Sequence, residues 1–277
     1  MSQTCLITGP TSGIGRATAL ELARRGMSLV LLCRDAAKAQ ELSAEITRAG
    51  GTQPMVVLAD LASQADIRRA AAEFLATGRP LHLLINNAGV VNLKRTLTGD
   101  GLETTFAVNH LAYFLLTSLL LERLRASAPA RIVNVASEAH KFAPLEFDDL
   151  QNARRYRALR VYGQSKLANL LFTAELSRRL AGSGVTVNAV HPGAVATGLG
   201  TNNGAWARAL VALLGMFFRS PDDGAATSTY VATATELEGV SGKYFASCRE
   251  KRPSRAARDA DAARRLWQVS EQLVRGG

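Results

Sequence analysis

Cysteine and histidine are scarce in this 277-residue chain, and what there is lacks the spacing of a metal site. The three cysteines, Cys5, Cys33 and Cys248, are odd in number and far apart, which argues against a disulfide framework or a zinc centre. Cys5 and Cys33 sit in apolar runs and read as small buried hydrophobes. No charged leader or cleavage site precedes the first apolar run, so no signal peptide is read and a reduced, cytoplasmic setting is expected. Long apolar runs are missing as well. The longest apolar patch, residues 205–218, is broken by Arg208 and is too short to cross a bilayer, so no transmembrane segment is expected. Acidic residues are in deficit, 23 against 33 Lys and Arg, for a net charge of +10. Such a surface attracts polyanions. The arginines are spread along the chain, however, and dense only at Arg154, Arg155, Arg157 and over residues 249–265. Without a concentrated basic and aromatic stripe, nucleic acid is not the expected partner.

What is present is ordinary globular material, 47% hydrophobic and 20% charged, at a length that one α/β domain can fill. Apolar runs at residues 4–8, 28–33, 55–59, 81–86, 131–136, 185–191 and 242–246 suit parallel strands covered on both faces. Helical patterns fall between them, at 13–25, 36–49, from Ser63 through Phe74, at about 101–126 and at 156–181. Asp35 and Ser63 are placed to cap two of these. This alternation predicts one doubly wound domain over residues 1–277, with a parallel sheet flanked by helices. No internal repeat or linker interrupts it.

The chemistry-bearing motifs fall at the ends of the predicted strands. The first strand runs into Gly9-Pro10-Thr11-Ser12-Gly13-Ile14-Gly15 and a helix, a glycine turn that can bring backbone amides up to a pyrophosphate. Its spacing only approximates G-x-G-x-x-G, and such a turn can also be purely structural. The second strand ends in Cys33, where an NAD site would place a carboxylate, and Arg34 follows, as a 2′-phosphate would require. A solvated surface charge is the plainer reading of Arg34. Asp60 follows the third strand and Asn86-Asn87-Ala88-Gly89 the fourth, where adenine and ribose would lie, although either could be a simple turn. Tyr162 and Lys166 are four apart on a predicted helix and share a face, so an ammonium stands near a phenol whose ordinary pKa is about 10. That arrangement favours the phenolate and brings the phenol towards exchanging a proton with an alcohol or carbonyl. Ser137, closing the fifth strand, can hydrogen-bond the reacting oxygen, and Asn109 can carry a water. A tyrosine and lysine so spaced are also common on ordinary surface helices.

In their order along the chain these motifs resemble the short-chain dehydrogenase/reductase family over residues 4 to 275: Thr8-Gly9-x-x-x-Gly13-Ile14-Gly15, Asn86-Asn87-Ala88-Gly89, Asn109, Asn134-Val135-Ala136-Ser137, Tyr162-x-x-x-Lys166 and His191-Pro192-Gly193. The resemblance implies a Rossmann-like fold with a seven-stranded parallel sheet. It implies an NADP(H)-dependent carbonyl–alcohol oxidoreductase with a tetrad of Tyr162 as acid/base, Lys166, Ser137 and Asn109, the last supporting a proton relay. The cofactor contacts it implies are Gly9, Thr11, Ser12, Gly13, Ile14, Gly15, Arg34, Asp60, Leu61, Asn87, Ala88, Gly89, Tyr162, Lys166, Pro192, Gly193, Val195 and Thr197. Cys33-Arg34-Asp35, Asn109-His110-Leu111, Ser165 to Asn169 and Arg265-Leu266-Trp267 are similar to the retinol-dehydrogenase-like branch. Ala136 departs from it where relatives often carry a second serine, and the N-terminal apolar anchor of many animal members is not expected here. Residues 197–220 fall where the family places a substrate lid, and the apolar spacing of Trp206, Leu210, Leu213, Phe217 and Phe218 suggests a bulky apolar carbonyl or alcohol. Core packing or a membrane contact would give the same pattern. A homo-oligomer is possible. A non-catalytic NADP(H)-binding regulator on the same fold is the rival reading, and the complete tetrad speaks against it.

Overall fold

The structure, a computed structural model, describes residues 3–193 and 221–275. Among the described residues eight strands make one sheet: β1 (Thr4–Thr8), β2 (Ser28–Cys33), β3 (Met55–Leu58), β4 (Leu83–Asn86), β5 (Ala130–Val135), β6 (Val185–His191), β7 (Tyr244–Ala246) and β8 (Arg249–Glu250). Their order is β3-β2-β1-β4-β5-β6-β7-β8, and every pair is parallel except β7 with β8. The chain therefore winds outward in both directions from β1 and β4. A ligand crevice opens beyond the carboxyl ends of strands at such a switch point.

The expected seven parallel strands are present, and β8 is an addition. Ser247 and Cys248 link β7 to β8 with φ of +52° and +56°. A two-residue turn with both residues in the left-handed region gives a tight hairpin. Ser-Cys carries none of the usual Asn-Gly or Asp-Gly signal for such a turn, which is why the sequence shows no eighth strand.

Helices cover both faces: α1 (Gly13–Arg24), α2 (Ala36–Arg48), α3 (Gln64–Ala76), α4 (Thr104–Ala126), α5 (Ala158–Arg179), α6 (Pro221–Thr233) and α7 (Ala260–Arg275). The strand side chains alternate between two cores. Cys5, Ile7, Leu29 and Leu31 join the core under α1, α2 and α6, while Leu6, Val30 and Leu32 join the larger one under α3, α4, α5 and α7. The two predicted caps form: Asp35 accepts from the Lys38 amide at 3.1 Å and Ser63 from the Asp66 amide at 3.2 Å. A third cap was not anticipated. Glu103, fully buried, accepts from the Thr105 and Phe106 amides at 2.8 and 2.7 Å and starts α4 there. Although α4 is long and apolar enough to span a membrane, it lies mostly buried within the fold. Its turn from Ala107 to Leu111 is π-helical, a widening often found at functional sites, and Asn109 sits in that turn. Against α4 and α5 packs α7, with the Trp267 ring 4.9 Å from Phe114 and 5.9 Å from Phe172.

Candidate active site

The site assembles at the carboxyl ends of β1, β4 and β5. Gly9 and Gly13 take φ of +64° and +50°, so the chain leaves β1 in a turn that side chains resist. Ser12 precedes α1 without making a side-chain cap, and the first turn holds no acidic residue. The α1 amides are thereby left to an anion, and the helix dipole favours one there. A β-carbon on Gly15 would stand 2.2 Å from the Gly9 carbonyl oxygen and 2.4 Å from Asn87 Nδ2, so only glycine fits. Asn87 clasps the turn from the other side, donating to the Thr8 and Gly9 carbonyls at 2.9 and 3.2 Å. Thr8 Oγ1 in turn receives the Asn87 and Ala88 amides at 2.9 and 3.0 Å. Thr8, which the sequence offered only as part of a motif, is thus the hinge pin of the turn.

At the end of β2, Arg34 is exposed and makes no ion pair with any described residue. Asp35 is engaged as a cap and pairs with Lys38 at 3.5 Å, so it does not take the place of a ribose-binding carboxylate. Arg16, the other cation near the turn, is tied to Glu45. Asp60 holds its own loop, accepting the Ala62 amide at 3.0 Å, with buried Leu61 beside it. Uncapped amides and a cradle that a β-carbon would fill together fit a dinucleotide.

Beyond β5 lies the reacting face. Ser137 Oγ accepts the Ala139 amide at 3.2 Å, which leaves its hydrogen to donate, and Ser137 lies close enough to the Tyr162 phenol to lower its pKa. Lys166 reaches the carboxyl end of β5 and donates from Nζ to the Val135 carbonyl at 2.9 Å. Nζ stands 5.6 Å from the centroid of the Tyr162 ring and 5.8 Å from that of Tyr113. Burial pushes the Tyr162 phenol up to about 12, with Ser137 acting in the opposite direction, and pulls the Lys166 ammonium down to about 7. The sequence led us to expect the ammonium to lower the phenol. In the folded chain desolvation outweighs that attraction and favours the neutral form of both.

Asn109 is placed differently from a free relay group. Its Oδ1 accepts the Val90 amide at 2.8 Å, while Nδ2 donates to the Val90 carbonyl and to Ser165 Oγ, each at 3.0 Å. Ser165 Oγ donates onward to the Tyr162 carbonyl at 2.7 Å. The side chain therefore braces the loop after β4 against the helix that carries Tyr162. Asn86, next to Asn87, faces away from the crevice and donates to Thr117 Oγ1 and Asn134 Oδ1 at 3.0 and 2.9 Å. His140 and His110 are structural: His140 Nδ1 lies 2.7 Å from the Ser137 carbonyl, and His110 Nε2 lies 2.9 Å from Ser270 Oγ. Pro192 and Gly193 follow β6, Gly193 with φ of +92°. Val195, Thr197 and the 197–220 segment lie outside the described residues. Tyr113 was missed, although its place four residues after Asn109 on a helix put it on the same face.

These elements define an oxidoreductase that takes a nucleotide cofactor at the switch point of a doubly wound sheet. A short chain dehydrogenase family profile matches residues 3–208, and the chain belongs to that family, in its retinol-dehydrogenase-like part. It is 48% identical over 270 residues to mouse retinol dehydrogenase 12, covering 97% of this chain and 85% of that one. It is 47% identical over 281 residues to human retinol dehydrogenase 13, covering 98% and 84%. Among solved structures, an uncharacterized protein from Mycobacterium paratuberculosis superposes with a TM-score of 0.80 at 36% identity, covering 99% of this chain and 93% of that one. A short chain dehydrogenase from Burkholderia cenocepacia in complex with NADP gives 0.70 at 27% identity, covering 88% and 95%.

Proposed function

We propose that the protein is an NADP(H)-dependent oxidoreductase that interconverts a bulky apolar ketone or aldehyde and its alcohol, with Tyr162 as general acid and base. The observation that carries this reading is the convergence of Tyr162, Ser137 and Lys166 beside the crevice at the ends of β1 and β4. The cofactor would be held by the α1 amides and the turn from Gly9 to Gly15, by Arg34 at the 2′-phosphate and by Lys166 at a ribose. Bound there, it would supply hydride transfer to or from the substrate carbon.

The chain's own groups manage the oxygen. In reduction the Tyr162 phenol donates its proton to the carbonyl oxygen, and the Ser137 hydroxyl donates a hydrogen bond to the same atom. Both stabilise charge as it develops. A phenol kept protonated by burial suits the acid role. In oxidation the same oxygen must accept a proton, and a charged Lys166 beside it stabilises the phenolate that does so. Lys166 anchored on Val135 keeps two further N–H donors for a ribose.

An apolar substrate follows from the names of the relatives and from the apolar side chains of residues 197–220, which we assign to a lid over the crevice. We place the protein in the cytoplasm as one catalytic domain over residues 1–277. The test is NADPH oxidation against a panel of lipophilic ketones, aldehydes and quinones, with Tyr162→Phe as the inactive control. Turnover with none of them, or equal turnover by the control, would overturn the reading.

A further inference from the structure

We infer that Tyr113 is a positioning residue of this site: its ring forms one aromatic wall of the Lys166 ammonium, Tyr162 being the other, and its hydroxyl ties down the cofactor-facing turn at Ala88. The inference rests on the reading of Lys166 as a cofactor-binding group.

Tyr113 is 1% exposed, so packing alone would be served by phenylalanine. Its hydroxyl instead donates to the Ala88 carbonyl at 2.7 Å. It is the middle member of a stripe on α4. Asn109 grips Val90 at 2.8 and 3.0 Å, Tyr113 grips Ala88, and Thr117 accepts from Asn86 at 3.0 Å. Four residues of helix advance about 6 Å and two residues of extended chain about 6.6 Å, so successive stripe members meet alternate residues of the 86–90 segment. The stripe sets how far that segment stands from the crevice. Gly89 lies in the same contact, since a β-carbon there would touch Asn109 Oδ1 at 3.4 Å and Lys166 Nζ at 3.7 Å.

The ring has a separate effect. An ammonium within about 6 Å of an aromatic centroid is attracted by the ring quadrupole, more strongly when desolvated. Nζ is 5.8 Å from Tyr113 and 5.6 Å from Tyr162. Among the described residues the titratable groups in ring contact with it are these two phenols, on α4 and on its own helix α5, and Tyr113 is itself raised by burial and by Tyr162. No described carboxylate contributes to the shift of Lys166, which comes from desolvation. The two rings and the Val135 carbonyl are therefore what favours the charge that Lys166 must carry to hold a ribose.

The experiment measures NADPH affinity by fluorescence titration from pH 5.5 to 9, together with melting of the cofactor-free protein. In the wild type one component of the affinity falls as pH rises through about 7, and Lys166→Ala removes that component. Tyr113→Phe keeps the ring. It should leave this midpoint in place and lower the melting temperature by a few degrees, because the half-buried Ala88 carbonyl loses its donor. Phenylalanine analogues of increasing ring fluorination at position 113 keep the shape but drain the ring face. They should move the midpoint down progressively, by about half a unit to one unit for the fully fluorinated ring. A midpoint unmoved across the fluorinated series, with the Lys166-dependent component intact in the wild type, overturns the role of Tyr113 alone. Absence of that component from the wild type overturns the reading of Lys166 as well.

Discussion

Gly15 lies directly against Asn87: a methyl group on its α-carbon would stand 2.4 Å from Asn87 Nδ2, with the Gly9 carbonyl oxygen nearer still at 2.2 Å. The first turn of α1 and the loop after β4 are thereby packed as one surface. Gly15→Ala should push the two apart. We expect a loss of about 1–3 kcal/mol in stability from overpacking, and NADPH binding weakened at least tenfold. Chemical denaturation and fluorescence titration check both. A variant with wild-type affinity would show that the turn is not the pyrophosphate cradle.

Tyr162→Phe should lower turnover by about 10²–10⁴-fold, the range for loss of a positioned proton donor. NADPH affinity should change by less than about threefold, because Val135 and not the phenol hydroxyl holds Lys166. Single-turnover kinetics and binding, run side by side, separate the two. Loss of binding in parallel with rate would assign Tyr162 to the cofactor instead.

Arg34 and Arg16, the two cations proposed for the 2′-phosphate, differ in partners, Arg34 having no ion pair with a described residue and Arg16 being tied to Glu45. Arg34→Ala should weaken NADPH by about 1–3 kcal/mol and leave NADH nearly unchanged, as loss of a charge-assisted hydrogen bond requires. Arg16→Ala should do much less. Equal affinity of the wild type for both cofactors would refute the 2′-phosphate assignment.

How much of this was legible before folding depends on where each signal resides. Strands such as β1 and β2 were plain, because parallel strands buried on both faces read as continuous apolar runs. The caps Asp35 and Ser63 were equally plain, being local rules of residue type and position. The two-residue strand β8 was not, since Ser247-Cys248 carries no turn signature. Asn86 and Asn87 look alike in sequence. The family resemblance picks out Asn87, and the register of β4 against β5, which pairs Asn86 with Asn134, gives the physical reason: Asn86 is structural and Asn87 faces the glycine turn. The Val135 carbonyl that anchors Lys166 is a main-chain atom and leaves no mark in sequence. Burial decides the direction in which Tyr162 shifts, and burial belongs to the tertiary structure.

The proposed lid over residues 197–220 gives a size-dependent expectation. Phe217→Ala or Phe218→Ala should raise KM for a large apolar ketone more than for a small one, with little change in melting temperature. Burial in the core would instead cost about 3–5 kcal/mol and leave discrimination between the ketones untouched. Thermal melts paired with kinetics on the two substrates decide between them.

Lys166 should weaken the fold that it equips for catalysis. Its pKa in the folded chain is about 7, against about 10.4 for an unperturbed lysine. A lysine whose folded pKa is depressed imposes its cost in full below the folded value, where both states are charged. The cost fades as pH rises from about 7 towards 10.4, because the folded state is then neutral while the unfolded chain remains protonated. Lys166→Met should therefore raise the stability of the cofactor-free protein at pH 6, by a few kcal/mol at most, with the gain shrinking towards pH 10. No buried carbonyl is orphaned by the change, since Asn169 Nδ2 also donates to Val135 at 3.3 Å. Denaturant unfolding of both proteins at pH 6 and pH 9.5 measures the difference, and turnover should be lost in the variant. A less stable variant at pH 6 would mean that the two tyrosine rings and the Val135 carbonyl compensate the buried charge fully.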